Sequence, residues 1–439
     1  IQEDKFMSVR VSVEKESLVK AVRRCVSALN GSATAQKINF FVARNKQGVL
    51  KLGIVANGTF FANFLMDVEA IGAEGEISVN LSKDILTVVN AVAPLGEEVE
   101  LSFEDSRVGV SCGQGTAYVN YINDDGKMPE IPPMIPLGSI TLSIADFKKG
   151  INSVMHAVDP HEKAHAYGWN NCIGMNPVTD ESGSKLQLIG SSGAAIASST
   201  VDVAKSTIKG EIPALTVPSD SLNSIASNLD GEKVSVNIMA KKSDNLAEAA
   251  QPTALIIMDG EGASYIVFLL QQKYPVEVVN NINDYAKGAE FKVTAKKADL
   301  INAIKVANIQ KTDAKIKLGV GISVNDGKLR IDSFNSENYA DVDSTFNGIM
   351  DRTVLAPYFL ERSICVAGDD ITLLTNSKTG RVGENCSHVF IIRGENCQTL
   401  LVPIDTAAVE ESLRKATEKA KKAAKAKKEE ENNLEGIED

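Results

Sequence analysis

Residues 11–29 read VSVEKESLVKAVRRCVSAL. Residues 9–13 alternate apolar and polar as a strand does, residues 14–17 supply a polar turn, and the remainder has the period of a helix. Leu18, Val22, Cys25, Val26 and Leu29 make one apolar stripe, and Lys20, Arg23, Arg24 and Ser27 occupy the other face. The same grammar returns twice, as LSI at 142–144 leading into FKKGINSV at 147–154, and as VTA at 293–295 leading into LINAIK at 300–305. A unit recurring at roughly 130–150 residues is domain-sized, far longer than a solenoid period.

Each copy predicts the same order of elements. After the first helix come strands at 37–44, 49–55 and 60–68, then a second helix at 82–92 with Ser82 as its N-cap and Ile85, Leu86, Val89 and Val92 as its stripe. Strands follow at 98–103, 107–112 and 116–122. The second copy predicts helices at 145–157 and 219–228, with strands at 171–176, 185–190, 195–203, 233–239, 253–258 and 264–270. The third predicts helices at 297–309 and 357–365, with strands at 319–324, 328–334 and 339–346 and more to residue 404. Leu86, Leu222 and Leu360 take like places in the second helices, and Gly96, Gly231 and Gly368 close them. The expected fold is therefore α+β, with three repeated domains at 7–137, 138–287 and 288–406, each two helices on a largely antiparallel sheet. The proline-rich run 128–136 and the polar run 280–287 read as linkers, and 407–439 as a charged tail with no apolar stripe to pack. Residues 1–6, ahead of the first methionine, are left out of the fold.

The net charge of −11 excludes a protein that grips nucleic acid by bulk charge alone. Six scattered cysteines without a CxxC pair fit a reducing, cytoplasmic setting, and no 18-residue apolar run predicts a membrane span. His161–Glu162–Lys163–Ala164–His165 matches H-E-x-x-H, which on a helix would present two histidines to zinc, so a zinc metallopeptidase is one alternative. Against it, Tyr167–Gly168–Trp169–Asn170–Asn171 ends any such helix within two turns, and only His156 and His388 remain as further histidines. Ser191–Ser192–Gly193 lacks a nucleophile elbow, and Cys386–Ser387–His388 reads as one face of a strand. With no phosphate loop or dinucleotide fingerprint either, the expectation is a protein that is not an enzyme and needs no cofactor or metal. What remains is basic charge on the repeated helices: Lys20, Arg23 and Arg24, then Lys148 and Lys149, then Lys297 and Lys305. If the copies closed into a ring with these helices inward, a basic lumen could hold duplex DNA by its phosphates without reading bases.

Residues 9–404 resemble the bacterial-type DNA polymerase III beta sliding clamp, phage relatives included. The resemblance rests on the threefold repeat, the opening unit 11–29, the stretch 186–196, Lys273–Tyr274–Pro275, and Leu400–Leu401–Val402–Pro403–Ile404. It implies the DNA clamp fold and a head-to-tail homodimer that closes a ring around DNA. It further implies a processivity factor acting in the cytoplasm on the nucleoid, opened by a clamp loader and carrying the replicative polymerase and other proteins through short peptides. The peptide groove would be walled by Gly193, Ile196, Pro275, Val279, Leu400, Val402, Pro403 and Ile404. The chain departs from the family where Ser191–Ser192–Gly193–Ala194–Ala195–Ile196 lacks a histidine and an arginine, where Val279 replaces an arginine, and where the family's DNA-touching arginine would fall near Ser32, so that this contact is absent. Tyr167 and Trp169 align with a pore-rim segment. The ring interface would set the strand 116–122, with Tyr118, against Ile309 of a second copy. A monomeric peptide-binding scaffold is the remaining alternative.

Overall fold

A computed structural model of the chain describes residues 9–29, 37–71, 75–123, 130–158, 169–180, 183–209, 211–245, 250–309, 319–325, 327–334, 337–347, 350–375, 390–395 and 397–404, with Glu411 and Arg414. The chain divides into two compact units, one of Ile1–Ile189 with Ser199–Val276, the other of Gly190–Ser198 with Glu277–Asp439.

In the first unit, strand Val9–Glu14 leads into helix α1 (Lys15–Leu29). Glu14 caps that helix: its carboxylate accepts from the amide of Ser17 at 2.9 Å and from its hydroxyl, which holds the Glu14 carboxyl below its usual value. Helix α1 buries Leu18, Val22, Cys25 and Leu29 and packs on strands Leu50–Asn57 and Phe61–Asp67, each such side chain contributing about 1.5–3 kcal/mol of burial. Beside it lies α2 (Ile85–Val92), followed by a short 3-10 turn at Ala93–Leu95. Helix α2 starts three residues later than its sequence predicts, because Ser82 is still paired in strand Ile77–Ser82 and bonds Asp84 at the turn. Helices α3 (Ile144–Met155) and α4 (Ser219–Asn228) form the next packed pair.

Two antiparallel sheets carry α1, α2 and α3, while α4 also packs on the antiparallel pair Cys172–Asp180 and Leu215–Pro218. One has the order Glu69–Ala70, Val9–Glu14, Glu98–Phe103, Arg107–Cys112, Gly115–Asn120. The other has nine strands, Lys205–Ser206, Met134–Ser143, Lys233–Lys241, Pro252–Asp259, Ala263–Phe268, Phe61–Asp67, Leu50–Asn57, Lys37–Arg44 and Ile77–Ser82. It is two half-sheets joined at one seam, where Ala263 to Ile266 pair antiparallel with Phe64 to Phe61.

In the second unit α5 (Glu277–Lys287) precedes strand Phe291–Lys296 and α6 (Lys297–Ala307), which packs on α7 (Pro357–Ala367). The expected polar linker at 280–287 is thus a helix. Val279, Ile282 and Ala286 recur at its period, and Val279 and Ile282 are buried, so Asn280 and Asn283 are only its outer face. A four-stranded sheet runs Tyr339–Val342, Lys328–Ser333, Val320–Asn325, Met350–Leu355. A second layer orders Ser344–Asn347, Phe291–Lys296, Asp370–Thr375, Phe390–Arg393 and Cys397–Leu401.

One break recurs in all three copies. Strand Phe61–Asp67 ends and Glu69–Ala70 crosses to pair with Val9–Glu14; Lys205–Ser206 follows Ala195–Asp202 and pairs with Met134–Ser143; Ser344–Asn347 follows Tyr339–Val342 and pairs with Phe291–Lys296. The single strand predicted at 339–346 is divided at Asp343 for this reason. The threefold repeat of two helices on antiparallel sheet is therefore built into the pairing itself.

Candidate nucleic-acid and partner interfaces

The repeated helices present less free positive charge than their sequence suggests. Arg24, expected on the solvent face of α1, is only 6% exposed. Its position borders the stripe formed by Ala21, Cys25 and Ala28, and α4 packs alongside. One guanidinium nitrogen lies 2.6 Å from Asp230, the other 3.5 Å from fully buried Asp259, and the group sits 5.5 Å from the Phe64 ring centroid. Arg24 is thus a structural cation. Lys20 keeps exposure but leans toward Asp230 at 3.6 Å and Glu261 at 3.8 Å.

Two more of the expected pore lysines are spoken for. Lys148 donates to the carbonyl of Leu229 at 2.8 Å, the C-cap of α4, and Lys297 donates to Cys365 in the last turn of α7 at 2.7 Å. Lys15, which sequence reasoning passed over, does the same for Gly96 beyond α2 at 3.1 Å. Last-turn carbonyls lack intrahelical donors and sit at the negative end of the helix dipole, so one ammonium answers both needs. Lys15 and Lys297 each open their helix, and Lys148 comes one turn later on the same face. Arg23, Lys149 and Lys305 remain exposed and make no ion pair among the described residues. An open cleft of about 440 Å³ between α1 and α2 is lined by Lys15, Val19, Lys20, Asn90 and Pro94, and both its lysines are engaged as above.

Two sheet edges carry matching chemistry. Gly115–Asn120 is the edge of the five-stranded sheet, and there Tyr118 is 47% exposed with Arg107 stacked 3.9 Å from its ring centroid. Arg107 is held by Glu104 at 2.7 Å. Tyr339–Val342 is the edge of the four-stranded sheet, and there Tyr339 is 53% exposed with Arg330 stacked at 4.1 Å. Arg330 is fixed by a two-pronged bond to Asp341, at 2.8 and 3.1 Å, which keeps that carboxyl below its usual value. Helix α6 packs on this edge strand, and Ile309, just past its end, is 68% exposed. Tyr339 was missed from sequence, since Tyr118 entered only through the family resemblance; an aromatic on an alternating edge strand is the signal that could have found it.

The expected groove residues divide. In the second unit the Val402 amide donates to Ala194 at 3.0 Å and the Ile404 amide to Val354 at 2.9 Å, so the strip after Cys397–Leu401 runs beside residues 194–196. Val402 is 44% exposed, Gly193 faces open space, and Ile196, Pro403 and Ile404 are half-buried. Leu400 and Val279 are buried and cannot be open walls: Leu400 belongs to a cluster with Ile282, Leu374 and Ile391, and Val279 is on the same helix as Ile282. Pro275 belongs to the first unit. Its neighbour Tyr274 is fully buried there, edge-on to Trp169 at 5.8 Å, and its ring occupies the space a Cβ on Gly174 would need.

The His161–His165 match, Tyr167, Ser32, Cys386, His388 and most of the tail lie outside the described residues. Among the described residues no three His, Cys, Asp or Glu side chains are grouped to hold a metal, and no helix is long and apolar enough to cross a membrane.

The fold is that of the DNA polymerase III beta sliding clamps. A putative beta subunit from Eubacterium rectale aligns with a TM-score of 0.69 at 17% identity, over 90% of this chain and 99% of its own. The Thermotoga maritima beta subunit gives 0.71 at 14%, over 90% and 99%. A Bartonella birtlesii sliding clamp solved with griselimycin gives 0.71 at 15%, over 91% and 100%. No family model matches the sequence, and no curated protein matches it either.

Proposed function

We propose that this chain is a non-catalytic sliding clamp, two copies of which close head to tail around duplex DNA and tether a replicative polymerase and other proteins through short peptides. The carrying observation is the seam between Ala263–Phe268 and Phe61–Asp67 inside the first unit. Gly115–Asn120 ends the five-stranded sheet as Ala263–Phe268 ends its half-sheet, and Tyr339–Val342 stands in the third copy where Phe61–Asp67 stands in the first. Each has an edge that is unpaired among the described residues. A second copy satisfies both at once, and the operation is heterologous, so two copies close a ring. Tyr118 and Tyr339 then meet on the face that Ile266, Phe268 and Phe61 share at the internal seam. Three domains per chain, a clamp loader to open the ring and a cytoplasmic site of action follow from the same reading.

Topology makes weak contacts sufficient. Arg23, Lys149 and Lys305 offer mobile phosphate contacts, and net charge of −11 keeps the remaining surface off DNA. Chain loaded on closed circular DNA is expected to survive a moderate-salt wash and to slide off once the circle is cut. Equal loss from circular and linear DNA refutes encirclement. The apolar strip of Ile196, Val402, Pro403 and Ile404 is the peptide site in this reading. Griselimycin, found on the Bartonella protein, is its probe: Val402→Asp with Ile404→Asp is expected to abolish griselimycin binding and leave the dimer intact. Unchanged binding removes the assignment.

A further inference from the structure

The apolar strip is partly filled by the chain itself. Helix α5 lies over strands Asp370–Thr375 and Cys397–Leu401, and its Ile282 is fully buried among Leu374, Ile391 and Leu400. Ile196, Tyr285, Ala286 and Ala289 pack against that same cluster. Ile196 belongs to the strip on which the peptide reading rests, and Leu400 lies beside it under Ile282, so α5 already covers ground next to the open strip that a partner peptide would use. The polar bond described between helix and strand is Gln398 donating to Asn283 at 2.9 Å, exposed to solvent. The other face of the helix, with Asn280, Asn283, Asp284 and Lys287, is exposed to water, and Gly288 follows immediately as a point of backbone freedom.

We propose that α5 is a displaceable cover on the peptide site, competing in cis with an incoming apolar peptide segment. This rests on the peptide-groove reading above and adds to it a regulated occupancy. A helix of 11 residues is marginal on its own, so α5 is ordered by what it packs on. Seating Ile282 over Leu400 is then exclusive with seating a partner side chain there. The intrinsic affinity of the site is lowered by the fraction of time the cover is closed.

The two roles open to α5, cover and fixed wall, give opposite signs in one measurement. Amide hydrogen exchange is followed across residues 277–289 of the full chain as griselimycin is added. A cover is released and its amides exchange at least tenfold faster; a wall is buttressed and they slow. A second arm ties the helix down. Asn283→Cys with Gln398→Cys, on a background with Cys365→Ser and Cys386→Ser, is joined by a short bismaleimide. The cross-linked chain is expected to bind griselimycin at least tenfold more weakly than the same chain before linking. Ile282→Ser is expected to bind it more tightly than the unmodified chain. Slower exchange on binding, or affinity indifferent to the cross-link, overturns the cover and leaves the groove standing. Absence of binding by every form overturns the groove reading and the cover with it.

Discussion

Replacing Arg24 with methionine tests the electrostatics of the first unit most sharply. The guanidinium is nearly inaccessible, and the Asp259 carboxylate it faces has no exposed side-chain surface. Breaking a buried pair from one side costs about 3–5 kcal/mol, because the remaining charge keeps its desolvation penalty. Here the loss is softened, since Asp259 also accepts from the amides of Asp230 at 3.2 Å, Glu261 at 3.0 Å and Ala263 at 3.0 Å. Methionine keeps most of the packing over Phe64. The expected cost is therefore at the lower end, about 2–3 kcal/mol. Trp169 is the sole tryptophan and sits in the first unit against Tyr274, so its fluorescence in urea follows that unit's unfolding. With a urea slope of about 2–3 kcal/mol/M the midpoint falls by roughly 1 M. Arg23→Met, one residue away on the exposed face, is expected within about 0.5 kcal/mol of the parent. Equal midpoints for the two variants would refute the buried-network account of Arg24 and return it to the solvent face.

Other consequences follow from the same geometry. Lys148→Met removes the donor to Leu229 and is expected to cost about 0.5–1 kcal/mol, read as a lower urea midpoint, whereas Lys149→Met beside it leaves stability unchanged. Arg23→Glu, Lys149→Glu and Lys305→Glu together are expected to shorten retention on circular DNA and flatten its salt dependence, with the urea midpoint unmoved; an unaltered salt slope would count against these three as phosphate contacts. Tyr118→Asp is expected to yield monomers by sedimentation. Because Arg330 holds the Asp341 carboxyl below its ordinary value, the pair contributes fully above the unfolded value of about 4 and is lost only as pH falls through the lowered one. The dimer should accordingly persist at about pH 5, and dissociation at that pH would detach Asp341 from the interface.

Much of the architecture was legible because the apolar periods of 2 and 3.6 survive in each copy: Ser219–Asn228 has the helix bounds its sequence predicts, and α1 needs only Leu18, Val22, Cys25 and Leu29 to be recognised. The sequence reading failed where a position borders a stripe. Arg24 is charged and next to Arg23, so composition assigns it to water; its fate depends on Asp259, more than two hundred residues away. Helix α5 was hidden for a related reason, since four asparagine and aspartate residues mask an apolar face carried by Val279, Ile282 and Ala286. The lysine caps were hidden because a free amine and a capping amine look alike in sequence, and only the helix pairing separates Lys148 from Lys149.

The two kinds of joint in the proposed ring differ in a way that bears on how it opens. At the internal seam Phe61, Ile266, Ala254 and Met239 form a buried apolar cluster, with the Phe61 and Phe268 rings 5.9 Å apart. Arg24, Ser221 and Asn228 add polar ties across the same junction: Arg24 to Asp230, Ser221 to Thr59 at 3.0 Å, and Asn228 to Ser27 at 2.7 Å. Separating it would expose that cluster and strand Asp259 in one step, so it behaves as a fixed part of the first unit. The proposed subunit joint presents Tyr118 and Tyr339 instead, each under an arginine that is already paired and solvated. Such side chains lose little when parted, because ring, guanidinium and carboxylate keep one another's company on each side. If the chain forms the proposed ring and that ring is opened and reclosed around DNA, the tyrosine joint is the one that parts at the smaller cost.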